Sequence, residues 1–150
     1  MRVVIQRVNF AELKVDNSLV SQIKNGLVVL LGIEEKDNQE DIEWICKKLV
    51  HLRIFTDENN KMNNSLIDIN GEILLVSQFT LHANVKKGNR PSFIQAAKPD
   101  YAQTLYLDTI KHLQHTLGKN KVKTGIFGAN MQILLENDGP VTITIDSKNK

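Results

Sequence analysis

From Gly26 to Ile33 the chain carries no polar side chain. Such a run is too apolar for a surface and far short of the roughly 20 residues that span a bilayer. Bounded by glycine and rich in valine and leucine, Leu27 to Ile33 reads as a strand buried on both faces. A strand buried twice must be central in its sheet, so the rest of the chain has to supply both neighbouring strands and covering layers.

Upstream, Arg2 to Val8 is β-rich, and Leu13-Lys14-Val15 and Leu19 to Ile23 flank the turn-forming Asp16-Asn17-Ser18. Three strand segments are predicted, with a hairpin between the second and third. Downstream, Asp37 and Glu40 have capping-box spacing, and Ile42, Ile45, Cys46 and Leu49 repeat as one helical face, so a helix to about Val50 is expected. Leu52 to Phe55 reads as a strand, Asp57 to Ser65 as a loop and Glu72 to Ser77 as a further strand.

From Pro99, the positions Ala102, Leu105, Tyr106, Thr109, Ile110, Leu113 and Leu117 trace a second helical face, with Gly118 placed to end it in a left-handed conformation. Strands follow near Lys121 to Thr124, Met131 to Glu136 and Val141 to Asp146, the last two joined by the turn-forming Asn137-Asp138-Gly139-Pro140. The expected architecture is an α/β single domain over residues 1–150, mixed β-sheets packed with two main helices in β/β/α layers, ending in a short polar tail at 147–150.

With 41% hydrophobic and 24% charged residues, the chain is neither disordered nor fibrous. The start, Met1-Arg2-Val3-Val4-Ile5, lacks the long apolar core of a signal peptide, and a single cysteine cannot form an internal disulfide. A cytoplasmic protein without a membrane span is expected. Cys46 lies on a helical face and reads as a small buried filler. The net charge of +2 permits contact with nucleic acid but is weaker than a duplex-binding module would carry.

The chemistry is not that of the common hydrolase or metal motifs. His51, His82, His112 and His115 have no ligand spacing with the acids or Cys46, so solvated or capping roles are expected and no metal or cofactor. There is no nucleophile elbow and no phosphate-binding glycine loop. Ser77-Gln78-Phe79-Thr80 sets hydroxyl, amide and hydroxyl groups where a buried strand ends, a place where backbone N–H groups can be left to bind an oxyanion; a merely polar strand end is the other reading. Gly139 before Pro140 leaves backbone carbonyls unshielded by a side chain, a possible steric gauge, while the residue pair alone leaves the peptide isomer open.

Together with their context these motifs resemble one family closely, the bacterial and eukaryotic D-aminoacyl-tRNA deacylases. The resemblance runs through Met1 to Val8, Leu52-Arg53-Ile54-Phe55, Lys61-Met62-Asn63, Leu75 to Leu81, Lys87 to Phe93, Thr124 to Ala129 and Asn137 to Thr142. It implies a deacylase-type fold and a hydrolase that cuts the ester between a D-amino acid, or mischarged glycine, and the 3′-terminal adenosine of tRNA, as proofreading in translation. It further implies a homodimer with a cross-subunit active site and catalytic residues Ser77, Gln78, Phe79 and Thr80. A Gly-cisPro chirality filter is implied at Gly139 and Pro140 with Asn137 and Gln6, and adenosine or tRNA contacts at Phe127, Met131, Lys86, Lys87 and Arg90. The family is described as relying on the 2′-hydroxyl of the terminal adenosine, and Thr80 has no evident base to make it a nucleophile.

This chain departs from the family at His82, commonly tyrosine, and Asn130, commonly aspartate, positions expected to bear on adenosine packing or pocket polarity. A related deacylase that clears L-alanine typically has proline and alanine in the counterparts of Ser77 and Phe79, so the motif here favours the D-specific branch. A non-catalytic RNA-binding dimer would instead use Lys86, Lys87 and Arg90 with Lys119, Lys121 and Lys123, the last three alternating as an exposed strand face would.

Overall fold

A computed structural model describes residues 1–150. The elements are β1 (Arg2–Val15), β2 (Ser18–Ile23), β3 (Gly26–Gly32), α1 (Gln39–His51), β4 (Phe55–Thr56), β5 (Met62–Asn64), β6 (Glu72–Ser77), α2 (Pro99–Leu117), β7 (Val122–Thr124) and β8 (Met131–Asp146). The apolar run is central, as its composition demands. β3 lies between β1, antiparallel, and β6, parallel, in the order β2-β1-β3-β6-β7, with β8 added on β1. Alternate residues of β3 serve different cores: Leu27, Val29 and Leu31 join the larger cluster under α1 and α2, while Val28 joins Leu74, Val76, Val8 and Leu13 in a smaller one. The sheet curls until its ends meet, and Ser21 Oγ on β2 donates to Thr124 O on β7 across the gap, 2.8 Å. The result is a mixed α/β domain with two helices and a nearly closed sheet, in agreement with the expected class.

Several boundaries differ from the sequence reading for identifiable reasons. The first two expected segments are one 14-residue strand, because β1 is paired with β3 along its first half, β2 along its second, and β8 along most of its length. Asp16 and Asn17 turn the chain into β2 at φ 49° and 63°, the positive pair that a two-residue hairpin requires. The cap of α1 is Asn38 with Asp41, one residue later than expected. Asp37 is instead drawn inside, where its Oδ2 accepts Glu34 N–H at 2.8 Å and its other oxygen meets the Met1 ammonium. Of Leu52 to Phe55 only Phe55 enters a strand, for the Ile54 carbonyl is taken by the Arg7 guanidinium.

Gly118 does end α2 at positive φ, 93°, but its ψ of 147° lies outside the left-handed helix region, and the chain continues into a 3₁₀ turn at Lys119–Lys121. Those lysines are therefore not an alternating strand face; β7 begins only at Val122. The two late strands are one, β8, with no hairpin between them. Ser147 and Lys148 are also tied in, since buried Ser147 bonds Asp41 and Lys148 Nζ lies 2.7 Å from Asp41 Oδ2. Cys46 is buried against Thr109, and burial pushes its thiol up to about 12, which suits a filler. No helix is long and apolar enough to cross a membrane.

Candidate active site

Ser77 ends β6, and the chain then folds into a 3₁₀ turn, Phe79–His82, seated directly on β3. Glycine at position 32 permits this seating. A Cβ there would stand 2.9 Å from Leu81 Cβ, closer than real Cβ contacts come, and 3.0 Å from Gln78 O, tighter than most of them. From above, Arg2 Nη1 donates to Leu81 O, 3.2 Å. Gln78 N–H donates to Leu31 O at 2.7 Å and is thereby unavailable to a substrate, which narrows the oxyanion expectation. Phe79 and Thr80 open the turn, and a turn offers no internal acceptor to its first N–H groups. The Gln78 amide donates to Thr80 Oγ1, so Thr80 is held as an acceptor, and Phe79 is 57% exposed with its ring edge-on to Phe93 at 5.1 Å.

Beside this turn opens a cavity of about 710 Å³, within the usual range for small-molecule sites. Its floor is the ends of β3 and β6: Leu31, Ile33, Val76 and Ser77. One wall comes from Phe93 through Ala102, the other from Phe127 through Ile133. Of the residues expected at the site, Ser77, Gln78, Phe79, Phe127 and Met131 line it, and Thr80 adjoins it through Gln78. Asn130 lines it as well, whereas His82 does not. The expectation of a solvated or capping His82 fails: as the last residue of the turn it is fully buried, both ring nitrogens without a hydrogen bond and Nδ1 4.0 Å from Glu34 Oε2. Phe93, Ala96, Ala97 and Lys98 also line it, with no sequence signal of their own beyond Phe93 closing the matched Lys87 to Phe93 stretch and the other three lying between it and α2.

No carboxylate, imidazole or thiol lines the cavity; Lys98 is its one ionisable side chain. What the lining offers a bound ligand is therefore oriented dipoles, from the Ser77 hydroxyl, the Gln78 and Asn130 amides and free backbone N–H groups, set in an apolar surface.

A second group of expected residues sits elsewhere. Val8 pairs with Asn137 and Gln6 with Thr142, so Arg7 alone faces the four residues Asp138 to Val141. β8 bulges there instead of turning back, because β1 holds it on both sides of the excess. The bulge is propped from within: the Arg7 guanidinium, 6% exposed, donates to Ile54 O and its Nε lies 2.8 Å from Asp138 Oδ2. Asn137, oriented to satisfy its neighbours, donates to Arg7 O at 3.0 Å and Val141 O at 3.2 Å; the opposite orientation would set its oxygen against carbonyls. At the exposed tip Gly139 has φ 110° and its bond to Pro140 is cis.

No residue from 134 to 146 lines the cavity. Asn137, at the foot of the bulge, is four residues along β8 from Ile133, about 13 Å of strand. Within one chain, then, the Ser77–Thr80 group borders the cavity and the Gly139–Pro140 group does not. Lys86, Lys87 and Arg90 form a third, exposed group on the segment closed by the Asn84–Ser92 bridge.

A family model described as D-Tyr-tRNA(Tyr) deacylase matches residues 4–146. The D-aminoacyl-tRNA deacylase of Flavobacterium psychrophilum is 59% identical over all of this chain and 99% of its own, and that of Bacteroides fragilis 58% over the same shares. Among solved structures, one described as a c-Myc DNA unwinding element binding protein is 41% identical and superimposes with a TM-score of 0.93, covering 97% of this chain and 98% of that one. Another, described as a probable eukaryotic D-amino acid tRNA deacylase, shares the fold at 22% identity and a TM-score of 0.82, over 96% and 97% of the two chains.

Proposed function

Since the chain belongs to the D-Tyr-tRNA(Tyr) deacylase family, hydrolases of the aminoacyl-tRNA ester bond, we propose that its active site is completed across a homodimer and reads substrate chirality with the Gly139–Pro140 bulge of the second subunit. The observation that carries this reading is the separation just described. The cavity and the bulge each hold half of the expected site, and within one chain the bulge does not line the cavity.

In this reading the 3′-terminal adenosine enters the cavity, its base against Phe127 and Met131, and the ester carbonyl lies over Ser77 to Thr80. The N–H groups of Phe79 and Thr80 stabilise the oxyanion as water adds to the carbonyl carbon, an effect worth several kcal/mol when preorganised. The lining offers no base, so the vicinal 2′-hydroxyl of the substrate relays the proton to the 3′-oxygen as the ester bond breaks. Products are the free amino acid and a tRNA with its 3′-hydroxyl restored. Ser77, Gln78 and Thr80 orient substrate and water.

Gly139 and Pro140, flanked by Asn137 and Gln6, present backbone carbonyls to the substrate α-carbon. An L side chain is driven into them and a D side chain points away, so specificity comes from repulsion, many D-amino acids are accepted, and glycine passes. Lys86, Lys87 and Arg90 give phosphate contacts that position the RNA. The activity serves proofreading of translation in the cytoplasm.

The test is deacylation of D-tyrosyl-tRNA, L-tyrosyl-tRNA and glycyl-tRNA by the purified protein. Rapid loss of the D and glycyl esters with the L ester spared is expected; equal rates on both enantiomers would overturn the proposal.

A further inference from the structure

Beyond the residues that the deacylase reading requires, the cavity contains one charged group. Lys98 is the only ionisable side chain among the 18 that line it. Its backbone is fixed on both sides: Ala97 N–H donates to Ile33 O at 2.9 Å, Lys98 N–H donates to Glu35 Oε1 at 2.8 Å, and Pro99 follows as the first residue of α2. One Glu35 carboxylate oxygen is thus held by the main chain, and the Lys98 side chain is exposed at the wall opposite Phe127 to Ile133.

We propose that Lys98 binds the phosphodiester on the 5′ side of the terminal nucleoside, fixing how deeply the RNA end enters the cavity. The inference rests on the deacylase reading. An ester held at Ser77 to Thr80 and a base in the apolar remainder leave the ribose 5′-oxygen directed to the cavity mouth. The phosphate there is the first full charge the RNA presents, and Lys98 is the one cation the cavity wall provides. Lys86, Lys87 and Arg90 lie outside the lining and serve phosphates further along the chain. A single lysine–phosphate contact acts as a point charge, so it contributes to binding, is weakened by salt and leaves the chemical step alone.

The experiment compares wild type, Lys98→Ala and Lys98→Arg on D-tyrosyl-tRNA and on 3′-(D-tyrosyl)adenosine, which has no phosphate. At low salt Lys98→Ala should raise KM for the tRNA about fivefold with kcat unchanged, and reduce the slope of log KM against log salt by about one. Lys98→Arg should restore both, and all three proteins should cleave the adenosine ester alike. An equal effect on the two substrates, no effect on either, or a fall in kcat alone would refute the role of Lys98. Filter binding of a non-aminoacylated oligoribonucleotide ending in CCA supplies a readout independent of hydrolysis. If the wild type binds it more tightly than Lys98→Ala yet cleaves neither ester, the deacylase reading fails and the phosphate contact stands.

Discussion

Gly139→Ala is the substitution whose consequences the structure defines most closely. At φ 110° an L residue is strained by about 1–3 kcal/mol. Its Cβ would also stand 2.7 Å from Arg7 Nη2 and 3.0 Å from Val141 Cγ2. Arg7 cannot yield freely, because its guanidinium is bonded to Ile54 O and paired with Asp138, and breaking a buried charged hydrogen bond costs about 1.5–3 kcal/mol. The lower-energy response is for the exposed tip itself to shift, by something like 1 Å. Misplacement of that size at a reacting centre costs about 100-fold in rate. In single-turnover deacylation, kcat/KM should therefore fall about 100-fold on D-tyrosyl-tRNA and on glycyl-tRNA alike, since both share the α-carbon the tip confronts. Urea denaturation should show a loss of no more than a few kcal/mol, so that most of the protein stays folded during the assay. Wild-type rates in Gly139→Ala, or a loss confined to the bulky substrate, would refute the reasoning.

Three further outcomes follow from other parts of the site and fold. Thr80→Ala should lose about tenfold in kcat, the effect of an orienting hydrogen bond, yet remain active; a D-aminoacyl ester trapped on Thr80 of the wild type by mass spectrometry would restore the nucleophile model. Phe79→Ala removes the edge-on contact with Phe93 and should lower the rate on D-tyrosyl-tRNA while L-tyrosyl-tRNA stays intact, so L cleavage by this variant would mean a side chain reads chirality. For Asp41, burial pushes the carboxyl up, but hydrogen bonds from Lys148, Ser147 and Asn38 outweigh it and hold the group at about 2 against an ordinary 3.8. A folded value below the unfolded one stabilises above about pH 4, and this is lost as pH falls towards 2. Asp41→Asn should lower the unfolding free energy measured in urea at pH 7, by an amount on the order of 1 kcal/mol after solvent screening, and flatten the dependence between pH 4 and 2; an unchanged slope there would assign the acid response to other groups.

What could be seen in the sequence is what local pattern controls. β3 was legible because eight residues without a polar side chain have one stable environment, and the buried stripe of α1, Cys46 included, followed from spacing alone. The Ser77–Thr80 element was placed correctly at a strand end because burial of β6 stops there. Where local chemistry and long-range pairing disagree, pairing wins. Asn137-Asp138-Gly139-Pro140 has every mark of a hairpin, yet β1 binds β8 on both sides of it and converts a turn into a bulge. His82 offers the same lesson, since nothing in its neighbours along the chain reveals that Gly32, fifty residues earlier, leaves room for the turn to bury it. The cavity wall from Phe93 to Ala102 was missed for a related reason: it faces the segment from Phe127 to Ile133 only after α2 has crossed the sheet.

The central claim, that cavity and bulge meet between subunits, is tested most directly by mixing two defective proteins. Gly139→Ala damages the bulge and leaves the cavity intact; Ala129→Trp fills the cavity, which Ala129 lines, and leaves the bulge intact. After unfolding and refolding equal amounts together, about half the dimers are hybrids, and each hybrid has one site made of an intact cavity and an intact bulge. Activity on D-tyrosyl-tRNA should then rise to about one quarter of wild type, far above either parent. If the mixture never exceeds the mean of its parents although hybrids are present by mass spectrometry, each site is built within a single chain and the account is wrong.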